Sequence, residues 1–152
     1  MRRRADRGFS LVEVILALGL LATVLISIAG LFILGGSQVR SGRSSSEALS
    51  VARAILEEME GWRFPDLYER WGVDGAAASY RIDTRTNAAA TRWQTELDSM
   101  LRGAYGMVEI TSLGPGSSPP PLNRTRAIRV VVTVHWDDGG RHRKIELGTV
   151  RL

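Results

Sequence analysis

The sequence predicts an α+β protein in which a long N-terminal helix packs on a small antiparallel β-sheet head. Residues 14–39 carry no charged side chain, which indicates a membrane-spanning first half of that helix. Residues 47–59 repeat apolar side chains at three- and four-residue spacing, which indicates an amphipathic second half. Beyond residue 106, β-rich segments alternate with turn residues, as in an antiparallel sheet.

The apolar segment is long enough to cross a membrane. It has about 26 uncharged positions, against the roughly 20 that a spanning helix needs. It also lacks proline, so a continuous helix would satisfy its own backbone hydrogen bonds in lipid. Four arginines precede it, within residues 2–7. This basic leader predicts a single-pass protein of the cytoplasmic (inner) membrane, with residues 1–8 inside and the C-terminal part outside.

One acidic residue, Glu13, interrupts the apolar character near its start. An unpaired carboxylate inside a membrane costs free energy, so Glu13 is expected to have a function. An ordinary secretory signal fits poorly, because its apolar region is usually 7–15 residues and no small-x-small cleavage site follows here. A plain membrane anchor would tolerate Glu13 but would leave the Gly8-Phe9 junction unexplained.

The junction and the helix together resemble a known class. Gly8-Phe9-Ser10-Leu11-Val12-Glu13, followed by an unbroken apolar helix to about residue 36, is similar to the N-terminus of type IV prepilins. That class includes major pilins, minor pilins and type II secretion pseudopilins. The resemblance implies that a membrane prepilin peptidase cleaves after Gly8 and N-methylates Phe9.

The chemistry of these residues suits assembly. Cleavage would give Phe9 a cationic amine at the membrane surface, next to the buried Glu13. Glu13 of one subunit can then pair with the amine of a neighbour, which offsets the cost of burying each charge. Such a pair also fixes the axial register between helices. The implied partners are the prepilin peptidase, other pilins or pseudopilins bound through the N-terminal helix, the inner-membrane assembly platform and the membrane itself.

Four segments are expected along the chain: a cleaved leader at 1–8, a transmembrane and assembly helix at 9–36, its amphipathic continuation at 37–63, and a globular β-rich head at 64–152. Ser37–Ser46 is polar and small, and reads either as a flexible linker or as a weak stretch of helix. Gly61 and Pro65 predict the end of the helix. The expected buried stripe consists of Ala48, Leu49, Ala52, Ile55, Leu56, Met59 and Trp62.

The first part of the head is expected to connect the helix to the sheet. Its aromatic side chains, Trp62 to Trp71, read as packing for that connection, with a binding platform as the less favoured alternative. Residues 80–84 alternate as a short strand. Residues 87–102 predict a second helix that ends at Gly103. The predicted buried face of that helix is Trp93, Leu97, Met100 and Leu101.

The second part of the head is expected to be β-structure. Residues 107–113 alternate as a strand, and the proline-rich residues 114–123 read as a stiff loop. Residues 127–136 and 141–152 read as a hairpin. Its turn is predicted to be Asp137-Asp138-Gly139-Gly140, with the two acids as turn residues rather than catalytic or calcium-binding groups.

Composition argues against several other functions. The net charge is +4, of which the leader contributes +3 (four arginines against Asp6), so nucleic-acid binding is possible but unsupported. The chain has no cysteine. His135 and His142 flank the predicted turn without a third ligand at suitable spacing, so neither a metal site nor a cofactor is expected. No nucleophile, phosphate-loop or His-carboxylate motif indicates an enzyme.

These features favour a structural role. The expected function is that of a minor subunit of a type IV pilus or related pseudopilus, found first in the inner membrane and then in the filament, in the periplasm or at the cell surface. The Trp-Asp-Asp-Gly-Gly hairpin loosely resembles V-type minor pilins and I-type type II secretion pseudopilins. A type II secretion minor pseudopilin stays open as an alternative, as does a DNA-uptake tip subunit or an adhesin that binds a ligand through its head. Many pilins have a proline in the membrane half of the helix, whereas this chain has Gly30 at that place, so local melting on assembly also stays open.

Overall fold

The computed structural model describes residues 10–115 and 118–152. The chain divides into two compact units, residues 1–40 and residues 41–152. A single antiparallel sheet has the strand order β1-β2-β3-β4. The predicted α+β class is therefore confirmed. The helices are α1 (Leu11–Glu60), α2 (Asp66–Glu69) and α3 (Thr91–Met100), and the strands are β1 (Ser79–Asp83), β2 (Tyr105–Leu113), β3 (Ala127–Asp138) and β4 (Arg141–Arg151).

The polar segment Ser37–Ser46 is helical and forms part of α1, so the helical interpretation is correct and the linker interpretation is not. The serine hydroxyls bond back to carbonyls of the preceding turn: Ser45 Oγ donates to Ser41 O at 2.9 Å, and Ser46 Oγ to Gly42 O at 3.0 Å. These local bonds satisfy the serine side chains without breaking the backbone ladder. The helix ends at Glu60, directly before Gly61, as predicted.

Within residues 41–152, one face of α1 and one face of the sheet supply the core. The predicted stripe is confirmed at Ala48, Ala52, Ile55, Leu56 and Met59, whereas Trp62 is only partly buried and Leu49 is 37% exposed. Val51 is buried in its place, because it lies three residues after Ala48 and four before Ile55, on the same helical face. Strand β4 contributes the partly buried Ile145 and Leu147. The buried residues of the sheet come from β1, β2 and β3: Ile82, Val108, Ile110, Ile128, Val130, Val132, Val134 and Trp136.

The aromatic residues after α1 pack the connection to the sheet, as expected. Trp71 and Trp93 are only 9% and 4% exposed. The rings of Trp62 and Trp93 stack with centroids 6.2 Å apart, and Trp71 tilts against both at 5.6 and 5.3 Å. Contacts of this kind stabilise a small core beyond the area they bury.

The helix predicted at residues 87–102 corresponds to α3, which is shorter. A 3₁₀ turn at Ala88–Ala90 precedes α3, which ends at Met100. The prediction that Met100 is buried was wrong, since it is 45% exposed. Leu101 has extended backbone angles and is buried in its place. Because α3 ends at Met100, two residues before the predicted end at 102, helical spacing no longer decides which of these two side chains faces the core.

The C-terminal hairpin has a tighter turn than expected. Only Gly139 and Gly140 form it, with φ of +59° and +82°. Asp137 and Asp138 are not turn residues, because they belong to β3 and pair with His142 and Arg141. Two successive residues with positive φ match the twist of the flanking strands, so pairing continues to the end of the hairpin.

Candidate functional site

Two of the three residues expected to act in maturation and assembly, Gly8 and Phe9, lie outside the described residues. The third, Glu13, lies in the first turn of α1. The helical hydrogen bonds begin there, with Val14 N donating to Ser10 O at 3.2 Å. The Glu13 side chain is exposed in the described chain and therefore accessible to a partner. An anion in the first turn also interacts favourably with the helix dipole.

The first half of α1 presents an apolar surface on every side. Its most apolar 18-residue window has a mean hydropathy of 2.7 and none of it is buried. Leu11 and Phe32, for example, are both 77% exposed. By length and composition this helix can cross a membrane. A helix that is apolar all round requires lipid or other helices to cover it.

The few polar side chains of this half have partners on their own helix. Thr23 Oγ1 donates to Gly19 O and Ser27 Oγ donates to Thr23 O, both at 2.9 Å. These hydroxyls therefore need no water, as the interior of a bilayer requires. Glu13 differs from them, because it carries a charge that a backbone carbonyl cannot neutralise.

A comparison with protein families matched residues 3–34 to the prokaryotic N-terminal methylation motif. The matched segment contains the Gly8-Phe9 junction, Glu13 and most of the apolar half of α1. The motif, the long apolar helix and the small β-sheet head together fit a type IV prepilin-like protein, and the motif and the apolar helix indicate membrane anchoring. Neither the comparison with curated proteins nor that with solved structures gave a match.

Several side chains of the head bind the second half of α1. None of them was predicted from the sequence to do so. At the C-terminal end of α1, the Arg151 guanidinium donates from Nη1 to Met59 O at 2.8 Å and from Nη2 to Trp62 O at 3.0 Å. Carbonyls at a helix C-terminus have no intrahelical donors and carry partial negative charge. The last residue of β4 therefore caps α1.

A second attachment joins α1 to the tip of the hairpin. Ser41 Oγ donates to Asp138 Oδ2, and Arg143 Nε lies 3.0 Å from the same carboxylate oxygen. A third attachment joins α1 to α3, where Glu58 accepts from Arg92 and, at 2.8 Å, from Trp93 Nε1. Each of these contacts to α1 joins residues at least 34 positions apart in the sequence, so no local pattern could have indicated them.

The outward face of the sheet is lined mainly by charged and polar side chains. A shallow depression of about 440 Å³ lies there. Its lining mixes both charge signs, and Arg81 forms an ion pair with Glu109 at 2.7 Å across β1 and β2. In the part of the chain that the structure describes, no group of three or more metal-binding side chains is placed to hold an ion. Burial raises the pKa of Tyr80, whose protonated hydroxyl donates to Leu67 O and thus has a structural partner.

Proposed function

We propose that the chain is a minor structural subunit of a type IV pilus or a related pseudopilus. Prepilin peptidase cleaves the precursor after Gly8 and methylates the new N-terminal residue, Phe9. The mature subunit then joins the filament through α1. The methylation motif over residues 3–34 is the observation that carries this proposal, and the unburied apolar half of α1 supports it.

The proposal divides the chain by function. Residues 1–8 are the leader that is removed, residues 9–36 are the membrane and assembly helix, residues 37–63 contain its amphipathic continuation, which is helical as far as Glu60, and residues 64–152 form the head. The leader stays in the cytoplasm until cleavage because its arginines favour the inner side of the membrane. The assembled head lies in the periplasm or at the cell surface.

In this proposal Glu13 provides the driving force and the register for assembly. A carboxylate at the middle of a membrane helix costs roughly 2.5–3.5 kcal/mol on insertion scales, and somewhat less near a helix end. A cation about 4 Å away would contribute roughly 4 kcal/mol of attraction at an effective dielectric constant near 20. The amine of a neighbouring N-terminus therefore offsets the cost of the buried carboxylate, and only when the two helices are correctly staggered.

The proposed cleavage is tested by co-expressing the full chain with a prepilin peptidase and measuring the mass of the product. The expected mass is that of residues 9–152 with one added methyl group. Gly8→Val should block cleavage, because a branched side chain at the junction obstructs access to the scissile peptide. Gly36→Val is the matched control, since a Cβ at Gly36 meets no atom within 4 Å in the described chain. Normal processing of the Gly8 variant would refute the assigned junction.

The role of Glu13 is tested separately, in cells that assemble the filament. Glu13→Gln keeps the shape of the side chain and removes its charge. We expect this variant to insert in the membrane at least as well as the wild type but to enter filaments at least tenfold less. Glu57→Gln is the control, because Glu57 is an exposed acid of the same helix outside its membrane half. Unchanged filament incorporation of the Glu13 variant would refute the charge-pairing mechanism.

A further inference from the structure

Beside the hairpin turn, two histidines of neighbouring strands approach each other on the outward face of the sheet. His135 of β3 and His142 of β4 have nearly parallel rings, with centroids 5.3 Å apart and planes inclined by 20°. His135 Nδ1 lies 3.1 Å from His142 Nε2. Tyr105 of β2 stacks on His135 with centroids 4.6 Å apart and lies 6.3 Å from the His142 ring, so the three rings form one cluster.

Asp137 fixes the orientation of the second histidine. Its Oδ1 lies 3.2 Å from His142 Nδ1. An ionised carboxylate can only accept hydrogen bonds, so the bond requires a proton on Nδ1 of His142. Neutral His142 therefore has its lone pair on Nε2, facing His135 Nδ1. With His142 in this form, the 3.1 Å contact between the two rings requires a proton on His135 Nδ1, which donates to His142 Nε2.

We propose that His135 and His142 form a bidentate site for a divalent transition-metal ion. The ion takes the place of the proton between the rings and binds His135 Nδ1 and His142 Nε2, while His135 carries its own proton on Nε2. Water fills the other coordination positions. The carboxylate of Asp137 accepts the other ring N–H of His142 and orients the ring, as carboxylates beside metal-binding histidines commonly do.

The separation of the two nitrogens indicates which ions fit. With metal–nitrogen bonds of about 2.1 Å, a separation of 3.1 Å corresponds to an N–metal–N angle of about 95°. That angle is close to the 90° of square-planar or tetragonal Cu²⁺ and Ni²⁺ sites and further from the tetrahedral angle that Zn²⁺ prefers. The expected order of affinity is therefore Cu²⁺, then Ni²⁺, then Zn²⁺, and Cu²⁺ also has the highest general affinity of the three for such ligands.

The surrounding charges act in opposite directions. Asp137 and Asp83 favour a bound cation, whereas Lys144, which pairs with His135 across the strands, and Arg85 oppose it. Burial, together with His142, Lys144 and Arg85, lowers the pKa of His135 below its ordinary value.

The two-ligand arrangement was not visible from the sequence, where the lack of a third ligand argued against a metal site. The two histidines are brought together by the pairing of β3 with β4, which their spacing in the sequence does not reveal. Asp137 pairs directly with His142, and His135 lies two residues before Asp137 on the same face of the sheet. If the pairing of β3 with β4 were shifted by one residue, the two histidines would lie on opposite faces of the sheet.

Isothermal titration of the full chain in detergent micelles, with any affinity tag removed, tests the site. Cu²⁺, Ni²⁺ and Zn²⁺ are titrated one at a time at pH 7.5. We expect saturable binding of one ion per chain in the stated order. His135→Gln and His142→Gln should each weaken Cu²⁺ binding at least tenfold, and Asp137→Asn should weaken it by roughly 10–100-fold.

Two further variants separate a specific site from general attraction to acidic residues. Asp138→Asn removes the same charge one residue away, but its carboxylate contacts Ser41 and Arg143 instead of a histidine, so Cu²⁺ affinity should change less than threefold. Lys144→Gln should strengthen binding, because it removes a nearby positive charge. Circular dichroism of each variant shows whether the head stays folded.

Electron paramagnetic resonance of the Cu²⁺ complex gives a readout independent of affinity. The wild type should show hyperfine coupling to two imidazole nitrogens, and either histidine variant to one. Coupling to no imidazole nitrogen, or equal Cu²⁺ affinity in the wild type and both histidine variants, would overturn the proposal. Stronger binding of Zn²⁺ than of Ni²⁺ would overturn the assigned geometry. None of these outcomes depends on whether the chain is cleaved after Gly8.

Discussion

Truncating Ile55 in the second half of α1 should destabilise the head far more than truncating Leu49. Both residues belong to the apolar pattern that the sequence places on one face of the helix. Ile55 is 1% exposed, whereas Leu49 is 37% exposed. Ile55→Ala and Leu49→Ala therefore test which face of α1 is packed on the sheet.

The structure sets the size of the two effects. Ile55→Ala leaves a cavity among side chains that are themselves buried, and such changes cost about 2–5 kcal/mol. Leu49→Ala leaves no enclosed cavity, and alanine also has a higher helix propensity than leucine, so we expect a cost below about 1 kcal/mol. With a urea m-value of about 2 kcal/mol per molar, the Ile55 variant should lower the unfolding midpoint by roughly 1–2.5 M and the Leu49 variant by less than about 0.5 M.

The assay is urea unfolding of residues 41–152, which form one compact unit. Tryptophan fluorescence reports on the cluster at the end of α1, and far-ultraviolet circular dichroism reports on the helix and sheet. Coincident transitions by the two probes would establish that one free energy of unfolding describes the fragment. Equal destabilisation by the two variants, or a wild-type fragment without a cooperative transition, would refute the packing described here.

Three further predictions concern the same unit and the same urea assay. Arg151→Met should cost about 1–3 kcal/mol, because Met59 O in the last turn of α1 and Trp62 O just after the helix each lose a charged donor; a loss below about 0.5 kcal/mol would show that water replaces these donors. Gly140→Ala should cost about 1–2 kcal/mol because its φ is +82°, while Gly139→Asn should be nearly neutral because asparagine is common at that turn position; equal costs would contradict the assigned turn. Hydrogen bonds from Arg85 lower the pKa of Asp83, so its stabilising contribution is complete above the unfolded value of about 3.9 and is lost as pH falls through the folded value; Asp83→Asn should therefore lower the midpoint at pH 7 more than at about pH 3, and an equal effect at both would contradict the pair.

The sequence by itself determined the features that depend on local composition. An uncharged segment of this length must be helical in lipid, because no other single-segment structure satisfies its backbone there. The alternation in residues 107–113 and 127–136 was sufficient to predict β2 and most of β3, since side chains on one face of a strand recur at every second residue. The Gly8-Phe9 junction and Glu13 could likewise be found without coordinates, because their chemistry lies within one short segment.

Only the tertiary structure decided which side chains meet across long distances in sequence. Burial of Val51 rather than Leu49 depends on where the sheet lies against α1, and helical periodicity leaves both possible. The cap that Arg151 provides for α1 and the approach of His135 to His142 depend on strand order and register. Register is set by a two-residue turn and by the packing of one sheet face, so contacts on the opposite face follow from the folded chain as a whole.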